Sequence, residues 1–130
     1  MIDHLGISCA DLPAAAAFYD DVLGALGFSR VLDYEVALGY GSAGKPDFWI
    51  STQPDGGGPS SGPDREMHLA FVAESADAVR AFFEAAVSSG AEVLHEPRHW
   101  PEYHEGYFAA FVRDPDGNNV EAVCHSVPPA

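Results

Sequence analysis

Basic residues are scarce in this chain of 130 residues. Six Lys and Arg stand against twenty Asp and Glu, the formal net charge at pH 7 is −14, and Lys45 is the only lysine. Nucleic acids and anionic membrane surfaces are bound through clusters of Lys and Arg. The composition therefore excludes both as partners, and we expect most acidic residues to form a solvated surface.

Long apolar runs and targeting signals are also missing. No stretch of 18 apolar residues occurs, so no transmembrane helix is expected. The opening MIDHLGIS has neither a basic segment nor a long apolar core, which are the marks of a signal peptide. We therefore expect a cytoplasmic protein. The length suits a single domain or two small halves that share a core.

Cysteine is also in short supply, with two residues in the chain. The sequence has Cys9 and Cys124, each within an apolar, strand-like run. Cysteine without a partner behaves as a small hydrophobic residue, and disulfides are rare in the cytosol. We expect both thiols to be reduced and buried. No CxxC pair or Cys/His cluster indicates a zinc finger.

Regular structure is interrupted near the middle of the chain. Residues 53–65 read QPDGGGPSSGPDR, almost entirely Gly, Pro, Ser and charged residues. Such a composition is typical of a linker. It divides the chain into two modules, residues 1–52 and 66–126.

The two modules repeat one plan. His4-Leu5-Gly6-Ile7 matches His68-Leu69-Ala70-Phe71 at an offset of 64 residues, and Phe18-Tyr19 matches Phe82-Phe83 at the same offset. Alternating residues after each histidine predict a strand, and helical spacing follows it. Asp11 and Ser75 occupy matching N-cap positions. The pattern predicts an α+β fold of two tandem βαβββ modules, forming a curved mixed sheet around a central pocket with helices on the outer face.

The later segments are predicted less regularly. We expect a loop at 41–46, a strand at 47–51, a short strand at 91–94 and irregular structure at 96–107. The sequence DPDGN at 114–118 is a strong turn, because Pro restricts φ and Gly accepts positive φ. Strands at 107–112 and 119–125 flank this turn.

One carboxylate and two histidines are the candidate metal site. Strand alternation turns Leu5 and Ile7 toward the helix and His4 away from it, and His68 follows the same rule. In the last strand Val120 and Ala122 pack toward the helix, so Glu121 faces the enclosed side. If the modules pair about a pseudo-twofold axis, two imidazoles and one carboxylate converge, a ligand set suited to divalent Fe, Mn, Zn or Ni.

Further candidates lie in the aromatic segment RHWPEYHEGY. His104 is a candidate general base, since the pKa of histidine suits neutral pH. Tyr107 is a candidate for orienting a substrate oxygen, together with Tyr103. Packing for stability alone explains these aromatic residues equally well. Lys45 and His125 are expected to be solvated.

At these residues the chain resembles the vicinal oxygen chelate superfamily. Its members include glyoxalase I, bleomycin-resistance proteins, fosfomycin-resistance thiol transferases and extradiol dioxygenases. The resemblance rests on DHLGISCADLPAAAAFYDDVLGALGF, MHLAFVAESADAVRAFF and, most specifically, FVRDPDGNNVEAVCH. It implies that His4, His68 and Glu121 are the metal ligands of the first, fifth and eighth strands.

Trp49 marks a departure from glyoxalase I. That enzyme has a fourth protein ligand on its fourth strand, and the equivalent of Glu121 in the first module is Trp49. Because tryptophan cannot bind the metal, the resemblance is closer to the three-ligand thiol transferases and dioxygenases. Trp49, Trp100 and Tyr103 are then candidates for the wall of a substrate pocket.

Two functions follow from the resemblance. The first is a divalent-metal-dependent lyase, transferase or dioxygenase that chelates two oxygens of a small substrate. The alternative is a metal-free protein that binds a drug or metabolite in an aromatic groove, as bleomycin-resistance proteins do. The resemblance also implies a homodimer, in which the first-strand histidine of one chain can meet the other two ligands of its partner.

Overall fold

The computed structural model describes residues 2–52 and 67–129. The helices and strands follow one another as β1 (Leu5–Ser8), α1 (Leu12–Ala25), β2 (Ser29–Asp33), β3 (Ala37–Ser42), β4 (Lys45–Ser51), β5 (His68–Val72), α2 (Ala76–Ser88), β6 (Val93–His99), β7 (Phe108–Arg113) and β8 (Asn119–Cys124). The order is strand, helix and three strands, twice over. The predicted α+β fold of tandem βαβββ modules is confirmed.

Each module forms a four-stranded mixed sheet of its own. The strand orders are β1-β4-β3-β2 and β5-β8-β7-β6. In each sheet the first strand runs parallel to the last, and the other pairs are antiparallel. Within the described residues the two sheets are not hydrogen-bonded into one curved sheet, which differs from the sequence-based expectation. The edges at β1 and β5 are therefore free of strand partners inside this part of the chain.

Both helices begin at the predicted capping residues. The backbone N–H of Ala14 donates to Asp11 Oδ1 at 3.0 Å, and that of Ala78 donates to Ser75 Oγ at 3.1 Å. Such caps satisfy amide groups that have no partner within the helix. The repeat is therefore preserved at the level of individual hydrogen bonds.

The helices pack against one face of each sheet and against each other. Val120 and Ala122 of β8 belong to this main core, whereas Val123 joins a smaller cluster with Trp100, Ala109 and Phe111. We call the side of the second sheet that carries this smaller cluster its helix-free face. The predicted alternation along the last strand is confirmed, because neighbouring side chains of a strand point to opposite faces.

Two segments are more regular than their sequences indicate. The expected loop at 41–46 shrinks to a tight turn between β3 and β4, where Ala43 has φ 52° and Gly44 has φ 79°. The expected irregular segment after residue 94 instead continues β6 as far as His99. Pro97 is tolerated there because β6 is an edge strand, where a missing backbone donor costs no ladder hydrogen bond.

The DPDGN turn also joins the two modules. Buried Asp114 accepts hydrogen bonds from the backbone of Asp116 and Asn118 and, at 2.7 Å, from the hydroxyl of Tyr19 in α1. Asp116 Oδ1 accepts from the backbone N–H of Ala10 at 2.9 Å. The predicted turn is present. It contacts Ala10, just before α1, and Tyr19 in the middle of α1.

The remaining expectations concern the thiols, the membrane and the linker. Cys9 and Cys124 are free and buried, as predicted. Neither described helix is long and apolar enough to cross a membrane. The linker at 53–65 lies outside the described residues, and the module boundaries on either side of it stay a prediction.

Candidate functional site

Glu121 is a buried carboxylate on the helix-free face of the second sheet. It lies in the middle of β8, between Ala70 of β5 and Phe111 of β7, and it is only 2% exposed. A buried carboxylate needs hydrogen-bond partners or a cation, because burial removes the water that stabilises its charge. Both oxygens of Glu121 have such partners.

His68 is the first partner. It begins β5, next to β8, and its Nε2 lies 2.7 Å from Glu121 Oε2. Its side chain is 46% exposed. The parallel pairing of β5 and β8 holds the two side chains together, as the sequence predicted for these two residues. An imidazole nitrogen and a carboxylate oxygen thus meet at a position that solvent reaches.

Tyr107 is the second partner, through a hydrogen bond that the sequence did not indicate. Its hydroxyl donates to Glu121 Oε1. Burial, reinforced by the hydrogen bond to Glu121, raises the pKa of Tyr107 well above its ordinary value. The phenol therefore stays protonated and holds the carboxylate in place. The sequence indicated a contact with substrate and did not reveal this bond.

His4 does not join the pair within the chain. It precedes β1, is 61% exposed, and its Nδ1 lies 2.7 Å from Asp3 Oδ1. This contact lowers the pKa of the Asp3 carboxyl. Within residues 2–52 and 67–129, no three His, Cys, Asp or Glu side chains are grouped so that they can hold one metal ion. The three candidate ligands therefore do not converge inside the described part of one chain, and the other arrangement that the sequence allowed, a site shared between two chains, stays a prediction.

Trp49 occupies the position in the first module that Glu121 occupies in the second. Trp49 pairs with Gly6 and Gly39, as Glu121 pairs with Ala70 and Phe111. A Cβ atom on Gly39 would lie 3.0 Å from the Trp49 ring, so the glycine makes room for the indole. The equivalence read from the sequence is confirmed, and an indole ring stands where the repeat places a carboxylate.

Tyr34 lies beside Trp49. The two rings are nearly parallel, with an interplanar angle of 8° and centroids 6.1 Å apart. Tyr34 is 62% exposed. The first sheet therefore presents an aromatic surface on the side of Trp49, away from the helix.

Trp100 and Tyr103 cover the helix-free face of the second sheet. Trp100 is 6% exposed and donates its indole N–H to the carbonyl of Ala109 at 3.1 Å. Tyr103 is 56% exposed and stacks on Trp100 with centroids 5.5 Å apart. Tyr103 is thus accessible to a ligand, while most of Trp100 is enclosed by the protein.

The hydrogen bonds of His104 link it to His125, near the end of the chain, and to Glu105. Its Nε2 lies 3.0 Å from Nδ1 of His125, and its Nδ1 lies 2.6 Å from the carbonyl oxygen of Glu105. Its ring meets that of Tyr107 edge-on, with centroids 5.3 Å apart. His104 therefore touches Tyr107, the residue that holds Glu121. Its predicted role as a base stays a prediction.

Lys45 is exposed and is neutralised by neighbouring acids. Its Nζ lies 2.6 Å from Asp47 and 3.6 Å from Asp3, and it also donates to the Asp3 carbonyl oxygen at 2.8 Å. The bond to Asp47 is the main reason why the pKa of Lys45 is raised. The lysine belongs to a surface ion-pair group beside His4, in agreement with the expectation of a solvated cation.

His95 is a residue of this face that the sequence did not single out. It meets Trp100 and Phe111 edge-on, with centroids 4.9 Å and 5.5 Å away. A register shift between Val93 and His95 turns it to this side. Simple alternation from Val93 places His95 on the other face, so no sequence signal identified it.

Known proteins resemble this chain over nearly its whole length. The family model for the glyoxalase/bleomycin resistance protein/dioxygenase superfamily matches residues 1–122. The protein YqjT of Bacillus subtilis (strain 168) is 28% identical over 129 residues, 95% of this chain and 98% of YqjT.

Two solved structures illustrate the shared fold. A glyoxalase/bleomycin resistance protein from Albidiferax ferrireducens T118 superimposes with a TM-score of 0.80 at 29% identity, over 93% of this chain and 96% of its own. The lactoylglutathione lyase of Agrobacterium tumefaciens has a TM-score of 0.64 at 24% identity, over 95% and 92% of the two chains. At that identity the second comparison concerns the fold alone.

Proposed function

The chain belongs to the glyoxalase/bleomycin resistance protein/dioxygenase superfamily, and from that premise we propose that it is a divalent-metal-dependent enzyme. The substrate is a small, oxygen-rich molecule that binds the metal through two neighbouring oxygens. The observation that carries the proposal is the contact between His68 and Glu121. An imidazole nitrogen and a buried carboxylate oxygen lie 2.7 Å apart on adjacent strands.

The chemistry of these two side chains suits a divalent ion. Imidazole nitrogen and carboxylate oxygen are the usual ligands of Fe, Mn, Zn and Ni sites that keep positions open for substrate. When bound, the metal would act as a Lewis acid on the substrate oxygens. Tyr107 would orient Glu121 from behind, as partners of metal ligands commonly do. Trp49 and Tyr103 would contact the substrate.

The third ligand in this proposal is His4 from a second copy of the chain. His4 lies at the free edge of the first sheet and is 61% exposed. Apolar residues near the two free sheet edges are also exposed, namely Ile2, Leu5, Met67 and Val72. Exposed apolar groups of this kind favour an interface. A homodimer with two shared sites would use the exposed His4 as a ligand and would cover the exposed apolar residues at its interface.

Metal analysis tests the proposal. We expect protein purified without chelator to hold about one divalent ion per chain, as one complete ligand set per chain requires. Replacing Glu121 by Ala, or His68 by Ala, removes a ligand and is expected to lower metal affinity at least about tenfold. The matched control is His99→Ala, because His99 lies on β6 and its Nε2 contacts the Pro128 carbonyl. Equal metal content in all four proteins contradicts the proposal.

Mixed dimers test whether the site is shared. A His4→Ala chain and a Glu121→Ala chain each lack one ligand, but their mixed dimer has one complete site. Random pairing after refolding makes half of the dimers mixed, so about one quarter of the sites should regain metal. A metal-loaded monomer in equilibrium sedimentation, or no recovery after mixing, counts against the shared site.

A metal-free binding protein is the second candidate. It is favoured by the bonds that Glu121 already makes, because His68 and Tyr107 satisfy both carboxylate oxygens without a cation. The aromatic residues Trp100 and Tyr103 on the same face supply a surface for a planar ligand. This function requires that ligand binding persists after complete removal of metal by a chelator.

A further inference from the structure

The helix-free face of the second sheet carries a row of side chains that extends away from Glu121. Glu121 of β8 is directly opposite Phe111 of β7, and Phe111 is directly opposite His95 of β6. His68 also contacts Phe111, with ring centroids 5.8 Å apart. His68 and His95 therefore approach Phe111 from the strands at opposite edges of the same sheet.

A β-bulge places His95 in this row. Val93 pairs with Val112, yet His95 pairs with Phe111, so two residues of β6 span one step of β7. Val112 belongs to the helix-side core, and Phe111 belongs to the helix-free face. Bulges at sheet edges commonly redirect a side chain near a functional site. Here the bulge moves His95 from the helix side to the face that carries Glu121.

Arg98 lies on the same edge strand, β6, three residues after His95. A second register shift leads to its pairing with Ala109, another residue of the helix-free face. Its guanidinium carbon lies 3.3 Å from the centroid of the Trp100 ring, and the His95 ring meets the same indole edge-on. Both irregularities of β6 therefore bring a basic side chain to Trp100, in a chain whose net charge is −14.

We propose that His95 and Arg98 form an anion-binding end of the substrate site. This inference rests on the proposed function for the other end of the site, where the substrate's two oxygens are held beside His68 and Glu121. Two strand spacings separate β8 from β6, a distance of about 10 Å. The substrate class is thus a molecule with two neighbouring oxygens at one end and a carboxylate or similar anion at the other.

The guanidinium of Arg98 has N–H groups that its contacts within the protein do not use and that can bind such an anion. It donates to the carbonyl of His99 at 2.7 Å and to Glu102 at 3.2 Å and 3.5 Å. These contacts use part of the five N–H groups of a guanidinium. They also hold the group over Trp100, so less side-chain freedom is lost when a ligand binds. His95 is exposed and adds a donor through its ring nitrogens.

A pair of catechols tests the proposal. Dihydrocaffeate has two neighbouring hydroxyls and a carboxylate, whereas propylcatechol has the hydroxyls and an uncharged chain of similar length. Both are titrated calorimetrically into protein loaded with Mn²⁺ under anaerobic conditions. We expect dihydrocaffeate to bind about tenfold more tightly, as one charge-assisted contact allows. His95→Gln should reduce this preference to about twofold, and Arg98→Gln should reduce it similarly.

His99→Gln is the matched control. His99 lies on the same strand, but it pairs with Phe108 of the helix-side core and should leave the preference unchanged. Equal binding of the two catechols, or equal loss in His95→Gln and His99→Gln, overturns the proposal. If the catechols bind only with metal and show no carboxylate preference, the anion site fails while the proposed metal function stands.

A metal-free measurement separates the two ideas further. Phenylpropionate has the carboxylate but no chelating oxygens, and its binding to chelator-treated protein is followed by NMR. We expect shifts at the indole N–H of Trp100 and at the His95 ring. These shifts with no metal-dependent binding of the catechols support the anion site and overturn the metal function. No shift in wild-type protein, with no carboxylate preference, overturns the anion site.

Discussion

At the scale of single residues, the candidate site depends on how one buried carboxylate is satisfied. Glu121 is 2% exposed and is bonded to Tyr107 and His68. Strand alternation predicted that Glu121 faces away from the helix, and the structure confirms it. Alternation gives the face of a side chain but not its hydrogen-bond partners. The bond to Tyr107 depends on the end of a loop that no local pattern describes.

Replacing Tyr107 by Phe tests this bond. The change removes a hydroxyl that donates to a buried carboxylate and leaves one oxygen of Glu121 without its partner. We expect the free energy of unfolding of the metal-free protein to fall by about 1–3 kcal/mol, measured by urea denaturation. Tyr103→Phe is the control, because Tyr103 is 56% exposed and should lose less than about 0.5 kcal/mol. Equal losses in the two variants contradict this role of Tyr107.

At the scale of elements, the DPDGN turn does more than reverse the chain. The sequence predicted its position and backbone geometry from Pro115 and Gly117. It did not predict that Asp114 is buried or that Tyr19 of α1 donates to it. These residues are 95 positions apart, so only the packed fold brings them together. The turn that precedes β8 is thereby anchored to the first module.

A double-mutant cycle on Asp114 and Tyr19 tests the anchor. Asp114→Ala removes the acceptor of the turn's backbone donors and of Tyr19, and we expect a loss of about 2–4 kcal/mol in unfolding free energy. Tyr19→Phe should cost about 1–2 kcal/mol. Because the residues interact directly, the double variant should lose at least about 0.5 kcal/mol less than the sum. Strict additivity in urea denaturation contradicts the anchor.

At the scale of the whole molecule, three buried weak acids stay protonated in the native state. They are the thiol of Cys9 and the phenols of Tyr19 and Tyr40. Burial, with the nearby negative charges of Asp116, Asp114 and Asp11, raises the pKa of Cys9 from 9.0 to about 11. Burial is also the main cause that raises the pKa of Tyr19 and Tyr40, where Asp114 and Asp20 add to the effect. Each group keeps its proton to a higher pH in the folded chain than in the unfolded one.

Stability is therefore expected to decline at alkaline pH. Above pH 9 the unfolded chain releases protons that the native chain retains, so the free energy of unfolding falls as pH rises. Cys9 alone accounts for about 2 kcal/mol by pH 11. Urea denaturation from pH 7 to 11 under reducing conditions measures the decline, and Cys9→Ala should reduce its slope between pH 9 and 11. An unchanged slope in that variant contradicts the assignment to Cys9.

The sequence by itself determined the repeated βαβββ plan, the two helix caps and the direction of Glu121. Each of these follows from local rules: the periods of strands and helices, the chemistry of capping and the offset between two similar segments. The position of Trp49 opposite Glu121 in the repeat also came from that offset, and the strand registers agree with it.

Only the tertiary structure decided which side chains meet. Within the described residues α1 packs on α2, and His4 is not grouped with His68 and Glu121. The bulges of β6 that present His95 and Arg98 depend on pairing with β7, which local patterns do not specify. The contacts of Glu121 with Tyr107 and of Asp114 with Tyr19 arise in the same way, from non-local packing.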